Sequence, residues 1–299
     1  MARVSLLLCR YSFDTERGAL SAREQFDLLT RLRDAPPVSY RKAEPTPDDF
    51  DTYLMRPDMK NLESCNALAL DVVRDVRFRQ VTKTDRATQT VSANFEPTNE
   101  AELAHVVMIP SLGGLAVHDA VGDGHINGAS AIRRFQTIVA TIDGVIMNVT
   151  VAGTAQDLQK AVGTWDLDQF SFQARPFNPH PSNPGQLLSD LLSRDDVGEF
   201  RGIAVPKKGS HIHPADTGLV KEAIGLAEKG YGTYGVRGRT ESGAEAIVKK
   251  QPFSHDRQTN LDRQKGPQQL RVYIEGDSST DLDIKTAQVL IEFFRSTEA

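Results

Sequence analysis

The residues best suited to chemistry are basic ones. Lys207 and Lys208 are adjacent, Arg237 and Arg239 are two apart, Lys249 and Lys250 are adjacent, and Arg257, Arg263 and Lys265 fall in the polar stretch beyond. Side chains two apart share one face of an extended strand, so Arg237 and Arg239 are expected to stand together. Such groups on one rim suit nucleic-acid phosphates, because each neutralised phosphate releases a condensed counterion. Arg77 and Arg79, alternating with Val76 and Phe78, make a second, smaller pair. The 299-residue chain has 35 Lys or Arg and 40 Asp or Glu, a net charge of −5. Yet Arg201 to Glu275 carries thirteen Lys or Arg against eight Asp or Glu, an excess of +5 that leaves −10 elsewhere. That asymmetry marks a polyanion-binding region, or else one heavily solvated face. Aromatic residues do not interleave with the cations as in single-strand binders, so duplex is the expected ligand. With no helix-turn-helix or RNP signature, contact should be largely independent of base sequence.

A second group, His118, Asp119, Asp123 and His125, lies in one loop and offers two imidazoles and two carboxylates. These can ligate a divalent metal, the basis of a metal-dependent nuclease reading. The spacing matches neither a helical HExxH pair nor a zinc finger, and Asp-Gly steps also suit a plain turn. His211 and His213 would share one side of an extended loop. Gly230, Gly232 and Gly235 spell GxGxxG, but a helix is expected before them and a strand after, the reverse of what a pyrophosphate needs. No P-loop or GxSxG elbow occurs, so no catalytic residue, cofactor or metal is assigned.

These groups must be positioned by a larger framework. Hydrophobic residues make up 39% and charged residues 25%, ordinary globular values. Cys9 and Cys65 are read as two reduced thiols. The apolar run from Val4 to Cys9 is stopped by Arg10, too short for a signal peptide, and no stretch would span a membrane, so a cytoplasmic protein without membrane insertion is expected.

Strands are expected at 3–13, 68–82 (or a hairpin there), 88–95, 106–109, 115–119, 145–151, 200–205, 231–239, 246–250 and 270–274, with Phe170 and Phe172 in another. A capping box at Ser21 and Glu24 opens a helix that Pro36-Pro37 ends. Further helices are expected at 129–142, after Thr154, after Asn183-Pro184, at 219–229 and at 284–294. Residues 38–64 read as a surface loop with a short helix. The four prolines from Pro176 to Pro184 make the best linker. The expectation is an α+β protein with mixed or antiparallel sheets, flanking amphipathic helices and two domains, 1–178 and 185–299.

The order of elements from about residue 65 resembles the DNA-binding sensor of the lambda Rex exclusion system, and more loosely the DNA-binding component of the Kiwa anti-phage system. The residues that carry the resemblance are the apolar hairpin around Ile109 to Val117, the following helix, the strand Ile146-Met-Asn-Val149, and Arg201-Gly-Ile-Ala-Val-Pro-Lys-Lys208, then the helix to Lys229 and the strand pair from Tyr231 to Lys250. It covers about two thirds of the chain; the first sixty residues lie outside it. It implies a prophage or defence protein that binds double-stranded DNA non-specifically, as a homodimer, with an effector protein partner. The net acidic charge departs from that pattern. A protein–protein interaction module with no nucleic acid is the third reading.

Overall fold

The computed structural model describes residues 2–40, 50–62, 65–76, 78–85, 90–98, 100–119, 124–153, 163–174, 199–212, 218–228, 232–250 and 268–295. Contacts group the chain into two compact units, Met1–Val151 with Gly276–Phe294, and Ala152–Glu275 with Arg295–Ala299. This grouping differs from 1–178 and 185–299 at two places: the strand Asp166–Ala174 pairs with later strands and groups with the second unit, and the closing helix groups with the first. The proline-rich stretch 176–184 lies outside the described residues.

The first unit opens with β1 (Ala2–Thr15), which is buried on both faces: Leu6 and Leu8 to one side, Cys9, Tyr11 and Phe13 to the other. Cys9 is a free thiol whose pKa burial pushes up to about 12, so it is chemically quiet. β2 (Gly18–Ala19) folds back on β1. α1 (Ala22–Asp34) has the expected capping box and buries Leu28, Leu29 and Leu32.

The expected loop at 38–64 is instead largely strand, with β3 (Val38–Tyr40) paired to β4 (Phe50–Leu62). A bulge between Met55 and Asp58, where Arg56 takes a φ of 51°, breaks the alternation of β4. Pro57 sits in that bulge, where its missing N–H costs no ladder bond. The phase change hid the strand from a period-two reading.

β5 (Cys65–Val76) pairs with β4 and with β8 (Ala101–Ile109), while β6 (Phe78–Asp85) and β7 (Thr90–Pro97) form a separate two-stranded ladder. A 3-10 turn at Pro110–Leu112 and Gly113 at φ 57° lead from β8 into β9 (Gly114–His118). α2 (Gly128–Val139) and β10 (Ile146–Val151) follow. The strands run β1-β9-β8-β5-β4-β3, antiparallel at every ladder, with β10 and β2 also on β1. α1 and α2 pack on the face that presents Leu68, Leu70, Val72, Val106, Met108, Leu115 and Val117.

The second unit holds β11 (Asp166–Ala174), β12 (Phe200–Ala204), β13 (Gly232–Arg239), β14 (Glu245–Lys250) and β15 (Gln268–Gly276) in the order β12-β11-β13-β14-β15, again antiparallel, with β11 between β12 and β13. α3 (Leu219–Glu228) lies against β13 and β11 and buries Val220, Ala223, Ile224, Leu226 and Ala227. Leu219, at its first position, is 40% exposed. α4 (Ser279–Arg295) returns to the first unit. It covers the sheet face opposite α1 and α2, and Phe294 sits where a Cβ on Gly114 would stand, at 2.7 Å. The class is therefore α+β, with antiparallel ladders. Among the described residues no helix is long and apolar enough to cross a membrane.

Candidate nucleic-acid interface

In β13 the sequence alternates strictly. Tyr234, Val236 and Gly238 are buried, and Arg237 and Arg239 stand on the opposite face, their side chains 59% and 66% exposed. The expected pairing of the two arginines on one face is present. Beside Arg237 on that face, Gln169, Ser171, Gly235 and Ile247 line a shallow hollow of about 300 Å³. Gly235 has no side chain to fill the hollow, and its carbonyl accepts a hydrogen bond from Ser171 Oγ at 3.2 Å. Ile203, paired with Ser171, is 68% exposed on the same face.

Both arginines carry counter-charges that sequence reasoning missed. Arg237 Nη2 is 2.7 Å from Glu245 Oε1, and Arg239 Nε is 3.9 Å from Asp168 Oδ2. His211 Nδ1 lies 3.4 Å from the other oxygen of Asp168. Asp168 is the extra residue of a bulge between Leu167 and Gln169, the kind of irregularity that re-aims a side chain.

Lys207 and Lys208 are exposed in the turn after β12. That turn folds back through Ile212, whose N–H donates to Leu167 O at 2.9 Å, so it lies at the end of the sheet where Asp166 pairs with Arg239. Among the described residues neither lysine has an acidic partner. The basic set therefore divides. Lys207, Lys208, Arg237 and Arg239 share one end, while Lys249 and Lys250 pair with Gly235 and Tyr234, nearer the other end of β13. Arg79 sits opposite Glu96 in the β6–β7 ladder of the first unit. Arg257, Arg263, Lys265 and Arg77 lie outside the described residues, as do Gly230 and His213. Gly232 and Gly235 are inside a strand that follows α3, an order that offers no helix N-terminus to a pyrophosphate.

The His118 loop does not gather. Asp119 Oδ1 accepts from Gly128 N–H at 2.8 Å at the start of α2, His125 is exposed and bridges Leu103, and Asp123 is outside the described residues. Among the described residues no three His, Cys, Asp or Glu side chains are grouped to hold a metal ion.

His118 instead belongs to a buried network on the α4 side of the first unit's sheet. His105 Nδ1 is 2.8 Å from Asp71 Oδ1, and its Nε2 is 2.6 Å from Asp283 Oδ1. Arg56 Nε donates to Asp71 at 2.8 Å, and Lys60 pairs with Asp283. His118 packs edge-on against His105 at 4.8 Å and is 3.0 Å from Thr286 Oγ1. Thr286 spends its own proton on Leu282 O, so His118 Nε2 must be the donor. Burial works against a charge on His105, but the hydrogen bonds and charges of Asp283 and Asp71 outweigh it and raise its pKa to about 9. For His118, burial and then the His105 charge lower the pKa to about 4. Burial would raise the two carboxyls, yet His105 with Arg56 or Lys60 holds both below the usual range. Lone polar residues inside apolar runs, Asp71 in Leu68–Val73 and His105 in Ala104–Ile109, were the available sequence signal. Their partner in α4 lies too far along the chain to be inferred.

No protein-family model matches the chain, and a search of curated proteins finds no match to it.

Proposed function

We propose that this protein binds double-stranded DNA without reading its sequence, through the basic end of the second unit's sheet, and serves a prophage-exclusion or anti-phage defence system rather than catalysis. The observation that supports it best is the placement of Arg237 and Arg239 on one exposed strand face, with Lys207 and Lys208 exposed at the same end of the sheet. Phosphate contacts of this kind position a protein on DNA and carry no base information. Net negative charge elsewhere repels DNA and confines contact to this end. Action as a homodimer with an effector partner belongs to the same proposal and rests on the resemblance to the Rex sensor.

The test is duplex binding across a salt series. Log affinity should fall linearly with log salt, at a slope of about −0.9 per phosphate neutralised. Replacing Lys207 and Lys208 by Ala, or Arg237 and Arg239 by Ala, should flatten the slope by about one to two units, equally on unrelated sequences. The control pair Arg31 and Arg33, in α1, should change little. Double variants with unchanged affinity and slope would remove the physical basis of the reading.

A further inference from the structure

In the first unit, on the face covered by α2, two guanidiniums share one aromatic ring. The Arg134 guanidinium carbon lies 4.0 Å from the Phe50 ring centroid, and that of Arg74 lies 4.9 Å from the same centroid. Tyr40 stacks on Phe50 at 4.6 Å. Strand register explains the gathering: Tyr40 pairs with Phe50, Thr52 with Arg74, and Arg74 with Glu102. Arg74 Nη1 donates to Glu102 Oε2 at 3.1 Å. Arg134 has no such bond; among the described residues its guanidinium has neither a hydrogen-bond acceptor nor an ion-pair partner. Among the described residues the buried Nε–H groups of both arginines find no acceptor.

Buried donors without acceptors are rare and costly, and a half-buried cation facing a second cation is more so. Burial and then the Arg74 charge make Arg134 less basic, with Glu102 and Tyr40 acting the other way. Among the described residues two positive charges meet one negative charge, so one further negative charge balances the cluster. The planar guanidinium fork matches carboxylate and phosphate oxygens alike. We propose that Arg74 and Arg134, set on Phe50 beside Glu102, form a binding site for a singly charged oxyanion, a carboxylate or a phosphodiester. The site is separate from the basic end of the second unit and does not depend on the DNA reading.

The experiment measures the melting temperature of the full chain without DNA, in acetate, in dimethyl phosphate and in chloride at one fixed ionic strength. A saturable rise over chloride is expected in wild type. A rise in acetate alone assigns the site to carboxylates, in dimethyl phosphate alone to phosphodiesters, and in both to either. The rise should be absent in Arg134→Gln and weakened in Arg134→Lys, which keeps the charge and loses the fork. Arg134→Gln also relieves the repulsion with Arg74, so in chloride it should melt no lower than wild type. If that variant fails to fold, the arginine Nε resonances of the wild type supply the readout, and they should shift with either anion at constant ionic strength. Equal melting of wild type in all three salts with unmoved resonances, or an Arg134→Gln response equal to that of wild type, overturns the proposal.

Discussion

His105 and His118 touch edge to face, yet their protonation preferences oppose each other. His105, bridging two buried carboxylates, has a folded pKa of about 9. In the unfolded chain it is about 6.5. Its stabilisation is therefore complete below about pH 6.5 and is lost as pH rises to about 9. His118 has a folded pKa of about 4, so the unfolded state binds the extra proton between about 4 and 6.5, and stability is lost as pH falls through that window. The pair should place a stability maximum near pH 6.5, with flanks approaching about 1.4 kcal/mol per pH unit for each proton. Urea unfolding from pH 5 to 9 tests it. His105→Gln should remove the alkaline flank, His118→Gln the acid one, and an unchanged profile in both would show that the pair does not titrate this way. At pH 7, His105→Gln should also cost about 3 kcal/mol, because Asp71 and Asp283 stay buried with fewer donors.

At the level of elements, β13 meets the backbone of β11 at Gly238, where no side chain fits. A Cβ on Gly238 would lie 2.6 Å from Asp166 O and 3.1 Å from Leu167 Cα, both backbone atoms that cannot swing aside. Gly238 separates Arg237 from Arg239, and the bulge that re-aims Asp168 adjoins Leu167. Gly238→Ala should therefore cost about 2 kcal/mol as an overpacked contact. It should also weaken DNA binding, although no charge changes. A Gly238→Ala protein with wild-type melting temperature would mean that the two strands separate easily. α2 is held at its start in a comparable way, with Asn127 capping Ser130 and Asp119 accepting from Gly128 N–H. Asp119→Ala should cost about 1 kcal/mol of stability, read from urea unfolding.

For the whole molecule, the decisive quantity is how much positive charge remains available inside a protein of net charge −5. Arg237 and Arg239 are partly neutralised by Glu245 and Asp168, and on the proposed DNA reading a phosphate would compete with those carboxylates. Glu245→Gln, or Asp168→Asn, should therefore tighten duplex binding by roughly three- to tenfold, up to about 1.4 kcal/mol. Neither should create any preference among sequences. If Glu245→Gln leaves affinity unchanged while Arg237 and Arg239 replaced together weaken it, the arginines act through the sheet's stability rather than by phosphate contact.

Local rules made much of the fold legible in advance. The capping box at Ser21 and Glu24, the hairpin across Pro110 to Gly114, the helices at 129–142 and 284–294 and the alternation of Arg237 and Arg239 with buried residues all follow from neighbours within one or two turns or one strand. Such features depend on periods of 2 and 3.6, which the sequence displays directly. The β4 strand escaped because its bulge resets the period at Arg56 and Pro57. Tertiary structure alone decided which distant residues meet: Asp283 with His105 across 178 positions, His118 with Thr286 across 168, and two arginines from β5 and α2 on the ring of Phe50. It likewise decided that Glu245 and Asp168 accompany the basic pair. Charge counted along a sequence measures composition, whereas the field a ligand meets depends on pairing and burial, which arise when the strands are laid side by side.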